Sequence, residues 1–203
     1  MKILVTAFEP FGGEQINPAQ EAVRRMRAPE GAELVKLGVS TAFRTCVETV
    51  HAAMRREAPD AVLCVGQAGG RPGLTVERVA INIDDASIPD NEGERPEDVP
   101  VVAGGPAAYF ATLPVKSIVA DIRKGGLPAA VSNTAGTFVC NHLMYGVLHL
   151  AACEFPAVRG GFLHVPYLPR QAAGRADTPS MSLADIVRGL EIAVRTIARE
   201  TAL

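Results

Sequence analysis

Cys140 is the residue of this sequence best suited to act as a nucleophile. It lies in the stretch AAVSNTAGTFVCNHLMYGVL (129–148), where a short apolar strand leads through a Ser, Asn, Thr and Gly loop into an amphipathic helix that begins near Phe138. In the first turn of a helix, unpaired backbone N–H groups and the positive end of the helix dipole favour a thiolate over a thiol. Because Cys140 shares an apolar helical stripe with Leu143 and Val147, the alternative is an inert core cysteine.

Two further residues complete a catalytic set with Cys140. His164 ends the apolar strand 160–165 and can accept the thiol proton, although a histidine there can equally be a hydrogen-bonded core residue. Glu77 lies in a predicted strand, 75–83, on the same face as apolar side chains, so its carboxylate needs a cationic partner or a catalytic role. Nucleophile, base and orienting carboxylate together indicate covalent acyl transfer, with the N–H groups at the helix start as the oxyanion hole.

The other three histidines are weaker candidates for the base. His142 is two residues from Cys140, and side chains at positions i and i+2 of a helix point in different directions. His51 and His149 fall within predicted helices, without a carboxylate at an obvious position. We therefore expect His164 to serve as the base.

Two loops offer groups that can contact a ligand. The segment AFEPFGG places Phe8 and Phe11 after the first strand, where the rings either anchor the core or bracket a flat ligand. The segment GQAGGRPG (66–73) lacks both the GK[ST] ending of a P-loop and the GxGxxG order, which disfavours nucleotide binding. Its glycines allow the backbone to approach a ligand closely, and Gln67 offers a donor and an acceptor.

Asn17 is predicted to cap the helix that follows the first of these loops and begins at Pro18.

Strands and helices alternate along the chain, which predicts an α/β fold. We expect a three-layer sandwich: a mostly parallel, twisted sheet with helices on both faces. Ligands of such sheets bind beyond the carboxyl ends of the strands, where the candidate residues converge. The polar segment 84–105 predicts a long loop, and 107–110 predicts a short helix.

Composition limits the possible functions. A chain of 203 residues with 48% hydrophobic content fits one globular domain, 1–203. The formal net charge of −2, without a basic block, disfavours nucleic acid and anionic membranes as partners. The N-terminal apolar run is too short for a signal peptide or a membrane span, so we expect a cytoplasmic protein. The four cysteines and four histidines show no metal-ligand spacing, and we expect no metal, cofactor or disulfide.

An ordered set of motifs along nearly the whole chain resembles the pyroglutamyl peptidase I family, also called pyrrolidone carboxyl peptidases. Each motif alone is modest, whereas the set in this order is specific. The motifs are FEPFGG with a following NP (8–18), GQAGGR (66–71), ERVAIN (77–82), IPDNEG (88–93), GGPAAYFATLP (104–114), TAGTFVCNHL (134–143) and HVP (164–166).

The resemblance implies a cytosolic cysteine exopeptidase that removes an N-terminal pyroglutamyl residue from peptides through a thioester acyl-enzyme. It also implies a phosphorylase-like or hydrolase-like α/β sandwich and a homotetramer. The family's triad falls on Glu77, Cys140 and His164. Its substrate pocket falls on Phe8, Phe11, Asn17, Gln67, Phe138 and Val139.

The expected pocket suits a small neutral lactam. We expect the rings of Phe8 and Phe11 to stack on the pyroglutamyl ring, while Gln67 or backbone groups meet its N–H and C=O. Helix capping by itself explains Asn17. Opening the lactam would introduce charges that such a pocket leaves without partners, so specificity should be sharp.

One residue departs from the family pattern. Members often carry Arg directly before IPDN, where this chain has Ser87, so the role of that arginine is either lost or taken by Arg71 or Arg78. This departure keeps open a different cysteine amidohydrolase or acyl transferase on the same scaffold. A nucleoside phosphorylase-like binder of purine and phosphate is suggested only by fold analogy, and a non-catalytic interaction protein would use the loop 84–105.

Overall fold

The computed structural model describes the backbone of residues 1–201 and the side chains of residues 1–200. The strands of this part are β1 (Lys2–Phe8), β2 (Glu33–Val39), β3 (Ala61–Gln67), β4 (Leu74–Glu77), β5 (Val79–Ile81), β6 (Ala108–Phe110), β7 (Ala129–Ser132) and β8 (Arg159–Val165). Its helices are α1 (Pro18–Arg25), α2 (Phe43–Glu57), α3 (Val115–Lys124), α4 (Val139–Cys153), α5 (Pro169–Ala172) and α6 (Leu183–Thr201).

Six strands form one mostly parallel sheet in the order β2-β1-β3-β8-β4-β7. Only the contact between β4 and β8 is antiparallel; β1, β2, β3 and β8 run parallel, as do β4 and β7. Strand β3 reads AVLCVGQ and is buried along its whole length, as expected for a strand covered on both faces. The predicted α/β fold is confirmed.

Each face of the sheet has its own apolar cluster. Leu63 of β3 packs with α1, α3 and α6 on one face, and Cys64 packs with α2 and α4 on the other. Successive side chains of a strand point to opposite faces, so even-numbered residues of β3 face α4. Asn17 caps α1 as predicted, because its Oδ1 accepts a hydrogen bond from Ala19 N at 3.0 Å.

The structure overturns two expectations about secondary structure. The predicted strand 75–83 breaks at Arg78, since β4 pairs in the main sheet whereas β5 pairs with β6 in a separate two-stranded sheet. Asn141 of α4 holds the diverted segment, bonding to the backbone of Ile81 and Ile83. The segment 107–110 forms β6 rather than a helix, because so short a helix is unstable without packing and β5 offers a partner.

The segment 84–105 is the long loop expected from its composition, and it is anchored at several points. The backbones of Asp84 and Val99 pair as an isolated bridge, and the carboxylate of Asp90 accepts a hydrogen bond from Phe43 N at 2.8 Å. Among residues 1–201, none of the helices has the length and apolar character needed to cross a bilayer.

Candidate active site

Cys140 lies in the first turn of α4, at the carboxyl ends of the parallel strands. Phe138 is the N-cap residue, and the first helical hydrogen bond runs from His142 N to Phe138 O at 3.1 Å. No described side chain caps this helix end. The N–H groups of residues 139–141 therefore have no intrahelical partner and can bind a negatively charged oxygen.

The Cys140 thiol faces β3 at Gly66. A Cβ atom added at Gly66 would lie 2.9 Å from Cys140 Sγ, so only glycine leaves room for the sulfur at this point. In the sheet, Gly66 is the partner of His164 on β8, and His164 in turn is opposite Thr75 on β4. This register places the His164 side chain on the face of the sheet that carries Cys140.

His164 and Glu77 form a buried hydrogen-bonded pair. His164 Nδ1 lies 2.7 Å from Glu77 Oε1, and the two residues are 3% and 0% exposed. An ionised carboxylate accepts a hydrogen bond from Nδ1–H. The neutral imidazole then carries its proton on Nδ1, so Nε2 is unprotonated and able to act as a base. Within the described part of the chain, Nε2 has no hydrogen-bond partner.

Arg71 is the partner that burial of Glu77 requires, and our reading of the sequence missed it. Its Nη1 lies 2.6 Å from both Glu77 Oε1 and Thr75 Oγ1, and its Nη2 donates to Thr134 O at 3.1 Å. The lone carboxylate on an apolar face was the available signal. The arginine adjacent to it in sequence, Arg78, is exposed and lies in the break between β4 and β5.

The environment sets the protonation states of the three candidate catalytic residues. Burial pushes the pKa of Glu77 upward, but the hydrogen bond and charge of His164, with the hydrogen bonds from Ser132 and Arg71, bring it below its usual value. Burial lowers the pKa of His164 more than Glu77 raises it. Burial, together with the charge of Glu77, raises the pKa of Cys140 to about 12, against the opposing effect of Arg71.

The resting site at neutral pH therefore holds a carboxylate, a neutral imidazole and a thiol. The pKa of Cys140 is thus shifted in the direction opposite to the one that the helix terminus suggested, because burial of the thiol and the charge of Glu77 both favour its protonated form. The thiol proton must move to a base as the sulfur attacks.

The other histidines are engaged elsewhere. His142 Nδ1 lies 2.7 Å from Asp84 Oδ2, as part of a second carboxylate–imidazole pair. His149 Nδ1 lies 3.0 Å from Tyr109 Oη. Contrary to expectation, a carboxylate also lies near the histidine of α2: His51 Nε2 is 2.7 Å from an oxygen of Glu154, in an exposed cluster completed by Arg55.

The aromatic residues expected to bind the ligand are divided between the core and the site. The expected sandwich of Phe8 and Phe11 is not formed: Phe8 is buried at the end of β1, its ring centroid 6.4 Å from that of Phe162. Phe11, in the loop beyond the strand, packs instead against Phe138, with centroids 5.9 Å apart. Val139 is also fully buried, so its backbone rather than its side chain is available to a ligand.

The polar residues expected in the pocket make protein contacts. Asn17 uses its oxygen to cap α1 and its amide nitrogen to bond Glu9 O at 3.1 Å. Gln67 follows Val65 on the face of β3 opposite Cys140, and its Oε1 accepts a hydrogen bond from Gln171 at 3.0 Å. The strand alternation that directs Gln67 away from the thiol leaves its backbone, not its amide, near the site.

A cavity of about 670 Å³ opens beside Phe138. Arg95 contributes to its wall, and its Nε donates to Ala86 O at 3.0 Å, next to Ser87. The lining residues are Asp85, Ala86, Ser87, Arg95, Glu97, Thr137 and Phe138. Arg71 and Arg78, the two arginines expected to compensate for Ser87, are not among these lining residues. The arginine in the wall of this cavity is Arg95. No group of three or more His, Cys, Asp or Glu residues within 1–200 is arranged to hold a metal ion.

Comparison with known proteins finds the same family over the whole described chain. Residues 1–200 match the family described as pyroglutamyl peptidase. The chain is 57% identical over 198 residues to the pyrrolidone-carboxylate peptidase of Levilactobacillus brevis, covering 97% of each chain. It is 54% identical to that of Thermoanaerobacter sp., covering 99% of this chain and 100% of the other.

Solved structures give the same result. The crystal structure of pyroglutamyl peptidase I from Bacillus amyloliquefaciens is similar with a TM-score of 0.95 and 48% identity, covering 98% of each chain. A mutant pyrrolidone carboxyl peptidase from the hyperthermophile Pyrococcus furiosus is similar with a TM-score of 0.94 and 38% identity, covering 98% of this chain and 99% of the other.

Proposed function

The chain belongs to the pyroglutamyl peptidase family and is a cysteine peptidase that removes N-terminal pyroglutamate; on this premise we propose that Cys140, His164 and Glu77 carry out the reaction. One observation carries the assignment. A buried imidazole is oriented by a carboxylate at 2.7 Å, on the same face of the sheet as a cysteine at an uncapped helix N-terminus. These groups supply a base, a nucleophile and an oxyanion site.

In the first half of the reaction, Cys140 Sγ attacks the carbonyl carbon of the pyroglutamyl residue. As the C–S bond forms, the thiol proton passes to His164 Nε2 and the carbonyl oxygen becomes an oxyanion held by the N–H groups of residues 139–141. The C–N bond then breaks, and Nε2 returns the proton to the leaving nitrogen. The peptide departs with a new amino terminus, and a pyroglutamyl thioester remains on Cys140.

In the second half, water hydrolyses the thioester. His164 Nε2 removes a proton from the water, whose oxygen attacks the thioester carbon. The C–S bond breaks, pyroglutamate leaves, and the proton regenerates the thiol. Glu77 stays ionised throughout and stabilises the imidazolium that forms twice in each turnover.

The lactam ring is proposed to bind between Phe11 and the start of α4. Phe11 and Phe138 offer adjacent rings, with Phe8 and Val139 as buried walls beneath them. Asn17 and Gln67 contribute by holding the surrounding backbone, whose N–H and C=O groups meet the lactam. A ring without a charged nitrogen loses little on entering such a pocket, whereas a prolyl ammonium would be desolvated without a partner.

We further propose that the chain folds as one catalytic domain, acts in the cytoplasm and assembles into a homotetramer, as the family resemblance implies. Sedimentation of the purified protein tests the tetramer directly. A monomer at the concentration used for the assay, with full activity, would contradict it.

The proposed roles are tested with a fluorogenic pyroglutamyl amide and the matching prolyl amide under reducing conditions. Wild type should release the fluorophore from the pyroglutamyl amide alone, and Cys140→Ser should release none. Cys153→Ser is the matched control, because Cys153 is exposed at the other end of α4. Full activity of Cys140→Ser, or equal loss in both variants, would refute the assignment of the nucleophile.

A further inference from the structure

Beyond the triad, we propose that Arg71 is a positioning residue of the reaction, which acts through Glu77 and links the base to the loop that carries the nucleophile. The inference rests on the proposed function of Glu77, Cys140 and His164. It concerns a guanidinium that lies next to the reacting groups without being one of them.

The contact between Arg71 and Glu77 is shared with the base. Arg71 Nη1 and His164 Nδ1 bond to the same carboxylate oxygen, Oε1, at 2.6 and 2.7 Å. The other oxygen, Oε2, is buried without a hydrogen-bond partner among residues 1–200. The Ser132 side chain also hydrogen-bonds to this carboxylate and helps to lower its pKa, but the two charged or ring N–H donors meet on Oε1. Arg71 therefore helps to fix the oxygen that orients the His164 ring.

Arg71 also joins parts of the site that are distant along the chain. Its Nη2 bonds to Thr134 O, in the segment that leads into α4 and Cys140, while Nη1 also bonds to Thr75 Oγ1 on β4. The turn that carries Arg71 is itself tightly placed, because a Cβ at Gly69 would lie 2.1 Å from the ring of Tyr167. One side chain thus connects Glu77, its strand β4 and the loop before the nucleophile.

The charge of Arg71 has a distinct consequence. The pKa of Glu77 is lowered by the charge of His164 and by hydrogen bonds from His164, Ser132 and Arg71. Apart from burial, the pKa of His164 is raised by its hydrogen bond to Glu77 and by the charge of Glu77, and it is lowered by the charge of Arg71. Without the guanidinium, the buried pair would carry an uncompensated negative charge that attracts a proton to His164 and opposes ionisation of Cys140. Arg71 lowers the pKa of both groups and so favours a neutral base and an easier loss of the thiol proton.

The first test compares Arg71→Met and Arg71→Lys with wild type in kcat and KM across pH, using the pyroglutamyl amide. For Arg71→Met, kcat should fall by about 10- to 100-fold with little change in KM, and the acid limb should move to higher pH by about one unit. For Arg71→Lys, the limb should stay near its wild-type position, because the charge is kept, while kcat falls because lysine cannot reproduce the three bonds.

The chain contains a matched control on its surface. Arg55, Glu154 and His51 also bring a guanidinium, a carboxylate and an imidazole together, with Arg55 Nη2 2.7 Å from Glu154 Oε1 and His51 Nε2 2.7 Å from Oε2, but in solvent. Arg55→Met should leave kcat and the acid limb unchanged. An equal effect of Arg55→Met, or an Arg71→Met profile that loses activity evenly at every pH, would overturn the proposal.

Two further measurements separate this proposal from a folding defect and from failure of the proposed function. In a Glu77→Gln background, which also removes the buried charge, adding Arg71→Met should cost less than about twofold in kcat; independent, additive losses would contradict action through Glu77. The rate at which iodoacetamide modifies Cys140, followed by mass spectrometry, needs no substrate. Arg71→Met should slow it at pH 8, and an unchanged rate would overturn the electrostatic role even if the pyroglutamyl amide were not cleaved.

Discussion

Gly66→Ala should disable the nucleophile by adding a single methyl group. The new Cβ would lie 2.9 Å from Cys140 Sγ and 2.7 Å from Phe162 Cζ, whereas ordinary contacts of this kind need about 3.5 Å or more. The separation of the new Cβ from the sulfur must grow by about 0.6 Å and its separation from the ring by about 0.8 Å. Phe162 is fully buried, and its centroid is 4.7 Å from that of His164. Moving the ring therefore displaces the base, and moving the sulfur displaces the nucleophile.

The size of both effects follows from this geometry. A displacement approaching 1 Å in a reacting group costs on the order of 100-fold in rate, so kcat/KM should fall by about that factor. Overpacking a well-packed core costs about 1–3 kcal/mol in the free energy of unfolding. The variant should therefore remain folded while losing most of its activity.

The assay combines turnover of the pyroglutamyl amide with urea unfolding, at a temperature where both variants are more than nine-tenths folded. Gly161→Ala is the control: its Cβ would lie 2.9 Å from Leu113 Cδ1, on the neighbouring strand but on the opposite face of the sheet. Both variants should lose similar stability, and only Gly66→Ala should lose activity. Wild-type kcat/KM in Gly66→Ala, or equal losses of kcat/KM in the two variants, would refute the reasoning.

Three other outcomes follow from the same structure. Burial raises the pKa of Cys64 from 9.0 to about 12, so above pH 9 the folded protein keeps a proton that the unfolded chain loses. This thiol should therefore lower the free energy of unfolding by about 1.4 kcal/mol for each pH unit above pH 9. In urea unfolding measured across pH, Cys64→Ala should show a pH slope that is shallower by that amount. Asn17→Ala should lower the free energy of unfolding by about 1 kcal/mol, because it removes the helix cap. Asn17→Ser retains a capping oxygen, so it should keep most of that stability and keep kcat/KM within about twofold of wild type. A large loss of activity in the serine variant would instead indicate that Asn17 contacts the substrate. His142→Asn should destabilise the protein by about 1–3 kcal/mol in thermal or urea unfolding, because the buried carboxylate of Asp84 would lose its imidazole partner. The acid limb of the kcat/KM profile should stay at its wild-type pH. A shifted limb would indicate that His142 competes with His164 as the base.

The two contacts of Glu77 illustrate what sequence reasoning can and cannot reach. Alternation along β4 indicates that a carboxylate lies among apolar side chains and requires partners, because burial of an unpaired charge is costly. The cation that pairs with Glu77 is Arg71, which lies six residues earlier in the chain and is brought back to β4 by a turn. No local pattern encodes that return, and alternation continued through Arg78 predicted one strand where the chain changes sheets.

The protonation state of Cys140 was likewise beyond local reasoning. Its place in the first turn of a helix follows from the strand–loop–helix pattern around it, and the structure has it there. The direction in which its pKa shifts depends on how much protein surrounds the sulfur and on the nearby charge of Glu77, which lies 63 positions earlier in the sequence. Solvent exclusion is a property of the packed fold and is absent from any segment taken alone.

The sequence by itself therefore determined the α/β architecture, the cap at Asn17 and the types of residue that can perform acyl transfer, because periodicity, capping and residue chemistry act over a few neighbouring positions. Only the tertiary structure decided that Phe8 packs in the core, that Gln67 faces away from the thiol and that Arg71 connects Glu77 to the loop before Cys140. Those outcomes depend on strand register and on loop paths, which bring together groups far apart in the chain.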